Sequence, residues 1–340
     1  MPITDALVSV VLCGYNQGEY LAQAIESVLG QTYPRIELII VDNGSSDDSH
    51  EVARRYGHLP NVRLLLHADS ATVTTRSNEG IAASSGDFIS FLYADDWYLP
   101  NKIERQMAAF AELPEDYGVV YAPGYRRNIH TGVEWIDGTP SWSGWVLEPM
   151  LRDYYRSAIN MDAPLARREC YLRYPFHEDI FAEGEGVFMR MAIRYRFHPL
   201  PEPLVVMREH SGNLGKAYEL QSTWNLILLK RLGREPGFPS ALAPILDRIS
   251  AGTMRNLGWQ MIRLASDPVK GRSYLARSLE WGRREALHPR FLVGMAASTL
   301  PRPALKIVNR VANRLRRHRE NLDLVTKLGP GSEISSVPTA

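Results

Sequence analysis

Two adjacent carboxylates, Asp95 and Asp96, follow directly on the apolar run Phe88-Ile-Ser-Phe-Leu-Tyr. Held side by side at the end of a buried strand, they repel each other. A hard divalent cation, Mg2+ or Mn2+, relieves that conflict and can bring a diphosphate with it. Such an ion neutralises the charge that grows on a departing diphosphate. The same pair also suits a solvated turn that caps a helix beginning near Pro100. Asp42 stands in a similar place, behind Ile39-Ile40-Val41. A carboxylate there can accept a hydrogen bond from the imide N–H of uracil, or close an Asx turn that starts the next helix.

The elements that must position these groups are legible upstream of each. Leu7–Leu12 and Ile36–Val41 are continuous β-branched and aliphatic runs, as expected of strands buried on both faces. Between them, Leu21, Ile25, Val28 and Leu29 recur at helical spacing over 19–32, and Pro34 follows the stop. Ser45 or Ser46 can cap a helix running to Tyr56, with Asp47 and Asp48 in its first turn. Val62–Leu66 and Phe88–Leu92 read as further strands, and Arg76–Ser84 as a short helix. Repeated strand–helix–strand units predict an α/β fold with a mostly parallel sheet and right-handed crossovers. In such sheets ligands collect at the carboxyl ends of the strands, where Gly14-Tyr15-Asn16, Asp42-Asn43 and Asp95-Asp96 fall. Farther on, Gly118–Ala122 and Leu204–Met207 read as strands, Val187–Tyr195 as a helix and Trp135–Trp145 as a loop. Beyond Lys216 the chain is mainly helical.

Several classes are excluded. The first βα turn, Cys13-Gly14-Tyr15-Asn16-Gln17-Gly18, has no GxGxxG, and no GxxxxGK[ST] occurs. A net charge of +1 gives no field directed at nucleic acid. Cys13 and Cys170 lie in no CxxC or Cys/His cluster, which predicts buried thiols in a reducing compartment. No apolar run reaches the roughly 18–20 residues that span a bilayer. With no signal-peptide pattern at its start, the chain is expected on the cytosolic side.

Four stretches carry a resemblance: Val8–Asn16 (VSVVLCGYN), Leu38–Asp48 (LIIVDNGSSDD), Arg76–Gly80 (RSNEG) and Gly86–Pro100 (GDFISFLYADDWYLP). In order and spacing they resemble the family 2 glycosyltransferases of GT-A fold over about residues 7–110, and more weakly to about 215. The resemblance implies an inverting transfer from a nucleotide-diphospho-sugar, with Mn2+ or Mg2+ as cofactor. It implies that Asp42 reads uracil, that the Tyr15-Asn16 loop lies against the nucleotide, and that Arg76 faces the diphosphate or sugar. Asp95 would face the ribose or sugar, Asp96 would hold the metal, and Arg208 and His210 would lie in a loop folded back over the donor. Tyr93 stands where many members have an aspartate.

The catalytic base of the family is an acid shortly before a helix whose arginine is here Arg190. The usual aspartate position is Gly184, flanked by Glu183 and Glu185, so both glutamates are candidates and Glu185 is favoured. Both also suit the dipole of the helix N-terminus. The departure at Gly184 keeps a second reading open, a non-catalytic nucleotide-sugar or glycan-binding subunit. Trp135, Trp142 and Trp145 offer rings for an acceptor sugar or anchors for their loop.

The expected organisation is a GT-A domain over 1–215, a helical region over 216–328 and a disordered tail over 329–340. Pro301–Arg319 carries Arg302, Lys306, Arg310, Arg314, Arg316, Arg317 and Arg319 without an acidic residue, and Leu305, Val308, Ala312 and Leu315 form an apolar stripe. A basic amphipathic helix of this kind suits an anionic membrane surface, or else packs against the chain with a solvated basic face. The expected partners are thus a UDP-sugar, a glycan or lipid-linked acceptor in surface polysaccharide synthesis, and the inner face of a membrane.

Overall fold

The computed structural model describes residues 5–156, 158–184, 186–210 and 218–310. Its elements run β1 (Val8–Gly14), α1 (Gly18–Leu29), β2 (Ile36–Asp42), α2 (Ser49–Arg54), β3 (Val62–Leu66), α3 (Val73–Ala83), β4 (Phe88–Tyr93), β5 (Trp97–Tyr98) and α4 (Lys102–Glu112). They continue with β6 (Tyr117–Tyr121), β7 (Gly124–Asn128), β8 (Glu134–Ile136), α5 (Leu147–Arg152), β9 (Leu165–Arg167), α6 (Arg168–Arg173), α7 (Gly186–Met191), β10 (Arg196–Pro199) and β11 (Val205–Glu209). The last named helices are α8 (Tyr218–Leu232), α9 (Ala243–Arg263), α10 (Pro268–Trp281) and α11 (Pro289–Ala297).

The central sheet has the order β10-β6-β9-β4-β1-β2-β3. Strands β4, β1, β2 and β3 are parallel, whereas β9 runs antiparallel to both β4 and β6. A smaller sheet, β5-β11-β7-β8, is mixed. Val8, Val10, Val11 and Leu12 are fully buried, because helices cover both faces of a parallel strand and leave no polar side. Gly80 lets α3 lie close on β1: a Cβ there would stand 2.3 Å from Val11 Cγ1.

Element boundaries shift where local capping intervenes. Helix α3 starts at Val73 rather than Arg76, because Thr72 accepts the Thr75 N–H at its N-cap. Helix α2 starts later than Ser45 or Ser46 suggested, since Ser45 and Ser46 are drawn into bonds with Asp42 and Asn16. The Trp135–Trp145 loop includes part of an edge strand, β8, paired to β7. Both cysteines are buried and free, and burial pushes the Cys13 thiol up to about 12.

The chain forms two compact units, Met1–Leu246 and Asp247–Ala340. The sequence pattern suggests a division near 215. Helix α8, however, packs within the first unit, where Trp224 stacks on Phe181 at 5.5 Å and Leu228 shares a cluster with Ile180. Among the described residues the second unit is all helix. Ile262, Leu275, Phe291 and Leu305 make its buried core.

Candidate active site

Register brings the polar segments together. Gly14 pairs with Asp42 across β1 and β2, and Cys13 with Tyr93 across β1 and β4. The three strand ends therefore open on one rim. Gly14 is needed at the closest approach, since a Cβ would meet Ala94 Cβ at 2.8 Å. Asn16 turns the chain with φ of 52°, a left-handed conformation that asparagine tolerates. Its N–H donates to Ser45 Oγ (2.8 Å) and its Oδ1 accepts the Ser46 N–H (2.8 Å). Ser45 in turn donates its N–H (2.8 Å) and hydroxyl (2.5 Å) to Asp42. The Tyr15-Asn16 loop and the Asp42 loop are thus one hydrogen-bonded body, with Tyr15 exposed above it.

Asp42 is buried, and His50 Nε2 lies 2.6 Å from its Oδ1. Three of the roughly four lone-pair sites of the carboxylate are therefore used, and acceptor capacity remains for one more donor. Arg76 is also buried and partnered inward. Its guanidinium reaches Asn43 Oδ1 (3.0 Å), both oxygens of Glu79 (2.9 Å each) and the carbonyl of Asp69 (2.7 Å).

At the end of β4, Asp95 and Asp96 are joined by a third carboxyl, Asp162. Asp162 accepts the Tyr93 N–H at 2.7 Å and hydrogen-bonds to Asp96, whose Oδ1 accepts the Arg208 N–H at 2.7 Å. Burial holds the Asp96 carboxyl far above the usual carboxylate range, and the charges of Asp162 and Asp95 push in the same direction. Burial raises Asp162 to about 7. Two carboxyls in hydrogen-bond contact cannot both ionise without cost. Beneath them, Lys102 is fully buried, with Nζ 2.8 Å from Ser90 Oγ and 3.0 Å from Gln106 Oε1, over the Tyr98 ring. Desolvation brings its amine down to about 7, opposed in part by Asp162.

Strand β11 closes the rim. Arg208 lies between the rings of Tyr20 and Trp97, 4.5 Å from each centroid, and donates to the Asp95 carbonyl and to Gln23. His210 Nε2 lies 3.0 Å from Asp95 Oδ2, so it meets the carboxylate pair itself.

These donors fit a divalent ion in one particular manner. Among the described residues no group of three or more His, Cys, Asp or Glu side chains forms a ready-made cage. Crowded, buried carboxyls are nevertheless the surroundings a cation relieves. Mg2+ and Mn2+ sites of this kind take one or two carboxylates and complete their shell with substrate phosphates. Asp96, with Asp95 beside it, fits that role.

The segment before α7 behaves differently. Glu183 is buried, with Oε1 3.0 Å from Arg190 Nε and 2.8 Å from Arg190 Nη2, while Oε2 accepts the His177 N–H at 2.8 Å. Burial raises its pKa, and Arg190 opposes that rise. The side chain is built into an internal ion pair. Gly184 follows with φ of 55° and open space at its Cβ position, and Glu185 lies outside the described residues. The preceding loop is stitched to α3 by Thr72, Thr74 and Asn78, which donate to Glu178, Ile180 and Phe176. Trp135 and Trp145 are exposed, whereas Trp142 is half-buried and its carbonyl accepts the Tyr121 hydroxyl at 2.7 Å.

Sequence reasoning missed Asp162, His50 and Lys102 in these roles; Arg208 was anticipated beside His210 over the donor site, though without its partners. Asp162 precedes the short strand β9, and its neighbours Asn160, Met161 and Ala163 offer no motif. His50 sits eight residues after Asp42 on α2, and that spacing was the one available signal.

Comparison with known proteins bears on the fold that carries this site. Residues 9–168 match the sequence model of Glycosyl transferase family 2. An uncharacterized glycosyltransferase of Rickettsia prowazekii is 37% identical over 123 residues, 36% of this chain and 37% of its own length. The match therefore spans little more than a third of that relative. TarS of S. aureus (residues 1–349, in complex with UDP-GlcNAc) superposes with a TM-score of 0.61 at 16% identity, covering 92% of each chain. The mannosyltransferase PcManGT from Pyrobaculum calidifontis, in complex with GDP-Man and Mn2+, gives 0.55 at 16% identity over 92% of this chain and 89% of its own. At such identities the likeness concerns the fold, which is the GT-A type. The likeness to glycosyltransferase family 2 is carried by residues 9–168, a little under half of the chain.

Proposed function

We propose that the protein is a metal-assisted, inverting glycosyltransferase that moves a sugar from a UDP-sugar to a glycan or lipid-linked acceptor in surface polysaccharide synthesis. The observation that carries this reading is the single rim formed by Tyr15-Asn16, Asp42 and Asp95-Asp96 at the ends of β1, β2 and β4. Asp42, fixed by Ser45 and His50, keeps an acceptor position for the uracil imide. Arg76 faces the diphosphate after exchanging its Glu79 partner, and Asp95 with His210 borders the ribose and sugar. Asp96 holds Mn2+ or Mg2+. That ion supplies leaving-group stabilisation when bound.

In the transfer, a carboxylate removes the proton of an acceptor hydroxyl as its oxygen bonds to the anomeric carbon. The bond from that carbon to the diphosphate oxygen breaks, and UDP departs with the electron pair. Glu185 is the base favoured here, because both oxygens of Glu183 are engaged by Arg190 and His177. The acceptor is met at the inner face of a membrane.

A second reading has one observation in its favour. With Gly184 at the expected acid position and Glu183 locked in an ion pair, the chain would bind nucleotide-sugar without transferring it. The two are separated by screening UDP-, GDP- and dTDP-sugars for hydrolysis or transfer, with Mn2+ and with chelator. Mn2+-dependent turnover of a UDP-sugar supports the enzyme. Tight UDP binding with no turnover of any donor leaves the binding subunit.

A further inference from the structure

The helical unit Asp247–Ala340 differs from the rest of the chain in what it leaves uncovered. Its helices turn a few residues inward: Ile262 of α9, Leu275 of α10, Phe291 of α11 and Leu305 of the helix over 302–310. Leu305 is fully buried, so the first member of the apolar stripe anticipated on Pro301–Arg319 belongs to the unit's own core. Asn309, one turn on, donates to the Ile262 carbonyl at 2.8 Å and fixes the rotation of that helix. Other apolar side chains are consequently turned out. Leu292 and Val293 are each 55% exposed, Ile307 62% and Val308 49%.

On α11 the buried positions Phe291 and Gly294 are three residues apart, and Leu292 and Val293 lie across the helix from them. Ile307 lies opposite the Leu305–Asn309 face in the same way. Leaving large aliphatic side chains in water forgoes their burial, and singly they need no explanation. Here, however, they alternate with cations. From Ala286 to Arg319 the sequence carries Arg290, Arg302, Lys306, Arg310, Arg314, Arg316, Arg317 and Arg319, and no acidic residue. Arg290, Lys306 and Arg310 are exposed. Arg302 is paired with Asp267 at 3.4 Å, but exposed aliphatic side chains interspersed with Arg290, Lys306 and Arg310 complement a surface that is anionic outside and apolar just beneath. No described helix is long and apolar enough to cross a membrane, so the contact is one of lying on the surface.

We infer that this unit docks on an anionic lipid surface, inserting Leu292, Val293, Ile307 and Val308 among headgroups that Arg290, Lys306 and Arg310 contact; the rest of the basic stretch, from Arg314 to Arg319, lies outside the described residues. This rests on the proposed function only for the reason the acceptor lies there; the docking is independent of the donor site. Each cation near such a surface contributes about fivefold in affinity, screened by salt.

The test uses the full chain in cosedimentation with vesicles of phosphatidylcholine alone and of phosphatidylcholine with 30% phosphatidylglycerol, at two salt concentrations. The expected result is binding to the anionic vesicles only, weakened by salt. A Val293→Glu/Ile307→Glu variant should lose at least about tenfold, and Lys306→Glu/Arg310→Glu should lose more and show a shallower salt dependence. Circular dichroism and UDP calorimetry should match wild type for both. Equal binding to both vesicles, or none at low salt, overturns the inference. So does a Val293→Glu/Ile307→Glu variant that binds like wild type. Self-association in sedimentation that these substitutions abolish, without vesicle binding, would assign the face to a second copy. Failure of UDP binding in every variant, with vesicle binding intact, counts against the proposed function and leaves this surface standing.

Discussion

The strand-end rim of the first unit and the outer face of the helical unit handle charge in opposite ways. At the rim, Asp42, Arg76, Asp95, Asp96 and Arg208 are buried and each already has protein partners. On the helical face, cations and aliphatic side chains stand exposed side by side. Buried polar groups held by several bonds are costly to misplace, so the rim is stiff and selects one ligand geometry. An exposed face of mixed character fixes no geometry and suits a partner that has none, such as a lipid surface. On the two proposals made above, specificity falls to the first unit and adhesion to the second.

Substitutions that remove a rim carboxylate should separate the regions most sharply. Asp96→Ala should lower transfer by about 10²-fold or more, the scale of losing several kcal/mol of leaving-group stabilisation, and should weaken UDP binding in the presence of Mn2+. Asp162→Asn should stay within about tenfold of wild type, because asparagine still accepts the Tyr93 N–H and can donate to Asp96. Mn2+ and UDP titrations, read beside turnover, check both. An Asp96→Ala protein with normal turnover would dissolve the contrast between regions.

The segment before α7 gives the next largest effect. Glu185→Gln should slow transfer by about 10²–10⁴-fold with donor affinity almost unchanged, because a base acts on the acceptor. Glu183→Gln should act on folding instead. It removes the closer of the carboxylates paired with buried Arg190 and leaves Glu235 at 3.8 Å, so the loss should approach the cost of a broken buried pair, about 3–5 kcal/mol, seen in chemical denaturation. The reverse pattern would make Glu183 the base.

At the nucleobase end, Asp42→Ala should weaken UDP by about 1.5–3 kcal/mol and inorganic diphosphate hardly at all, as measured by calorimetry. Equal losses for both ligands would mean that Asp42 shapes the loop and does not read the base.

The smallest effect concerns Lys102. Its folded amine titrates at about 7, below that of an unfolded lysine at about 10.4. Between those values the unfolded chain binds more protons, so this group makes stability rise with pH through that window. Wild type should therefore gain on Lys102→Met by about 2 kcal/mol between pH 7 and pH 9. Melting curves that stay parallel over that range would show a lysine charged in its site.

Much of this was written locally in the sequence. Runs such as Leu38–Val41 and the helical spacing of Leu21, Ile25 and Val28 encode strand and helix through side-chain period alone. Abrupt polar segments behind each strand mark its carboxyl end, so the α/β fold and the Asp42 and Asp95-Asp96 loops were legible. Their partners were not. Asp162 meets Asp96 because β9 inserts antiparallel beside β4. His50 reaches Asp42 because α2 starts at Ser49 rather than earlier. Arg208 seals the rim because β11 pairs with β5. The stripe on Pro301–Arg319 shows the same limit, since periodicity gave Leu305 an apolar side but left open what it faces. Packing against Ile262, Leu275 and Phe291 turned it inward and left Ile307 outside. Local pattern decides which residues share an element, because it follows from backbone geometry over a few residues. Which elements meet depends on contacts between distant segments, and only the folded sheet and helices decide that.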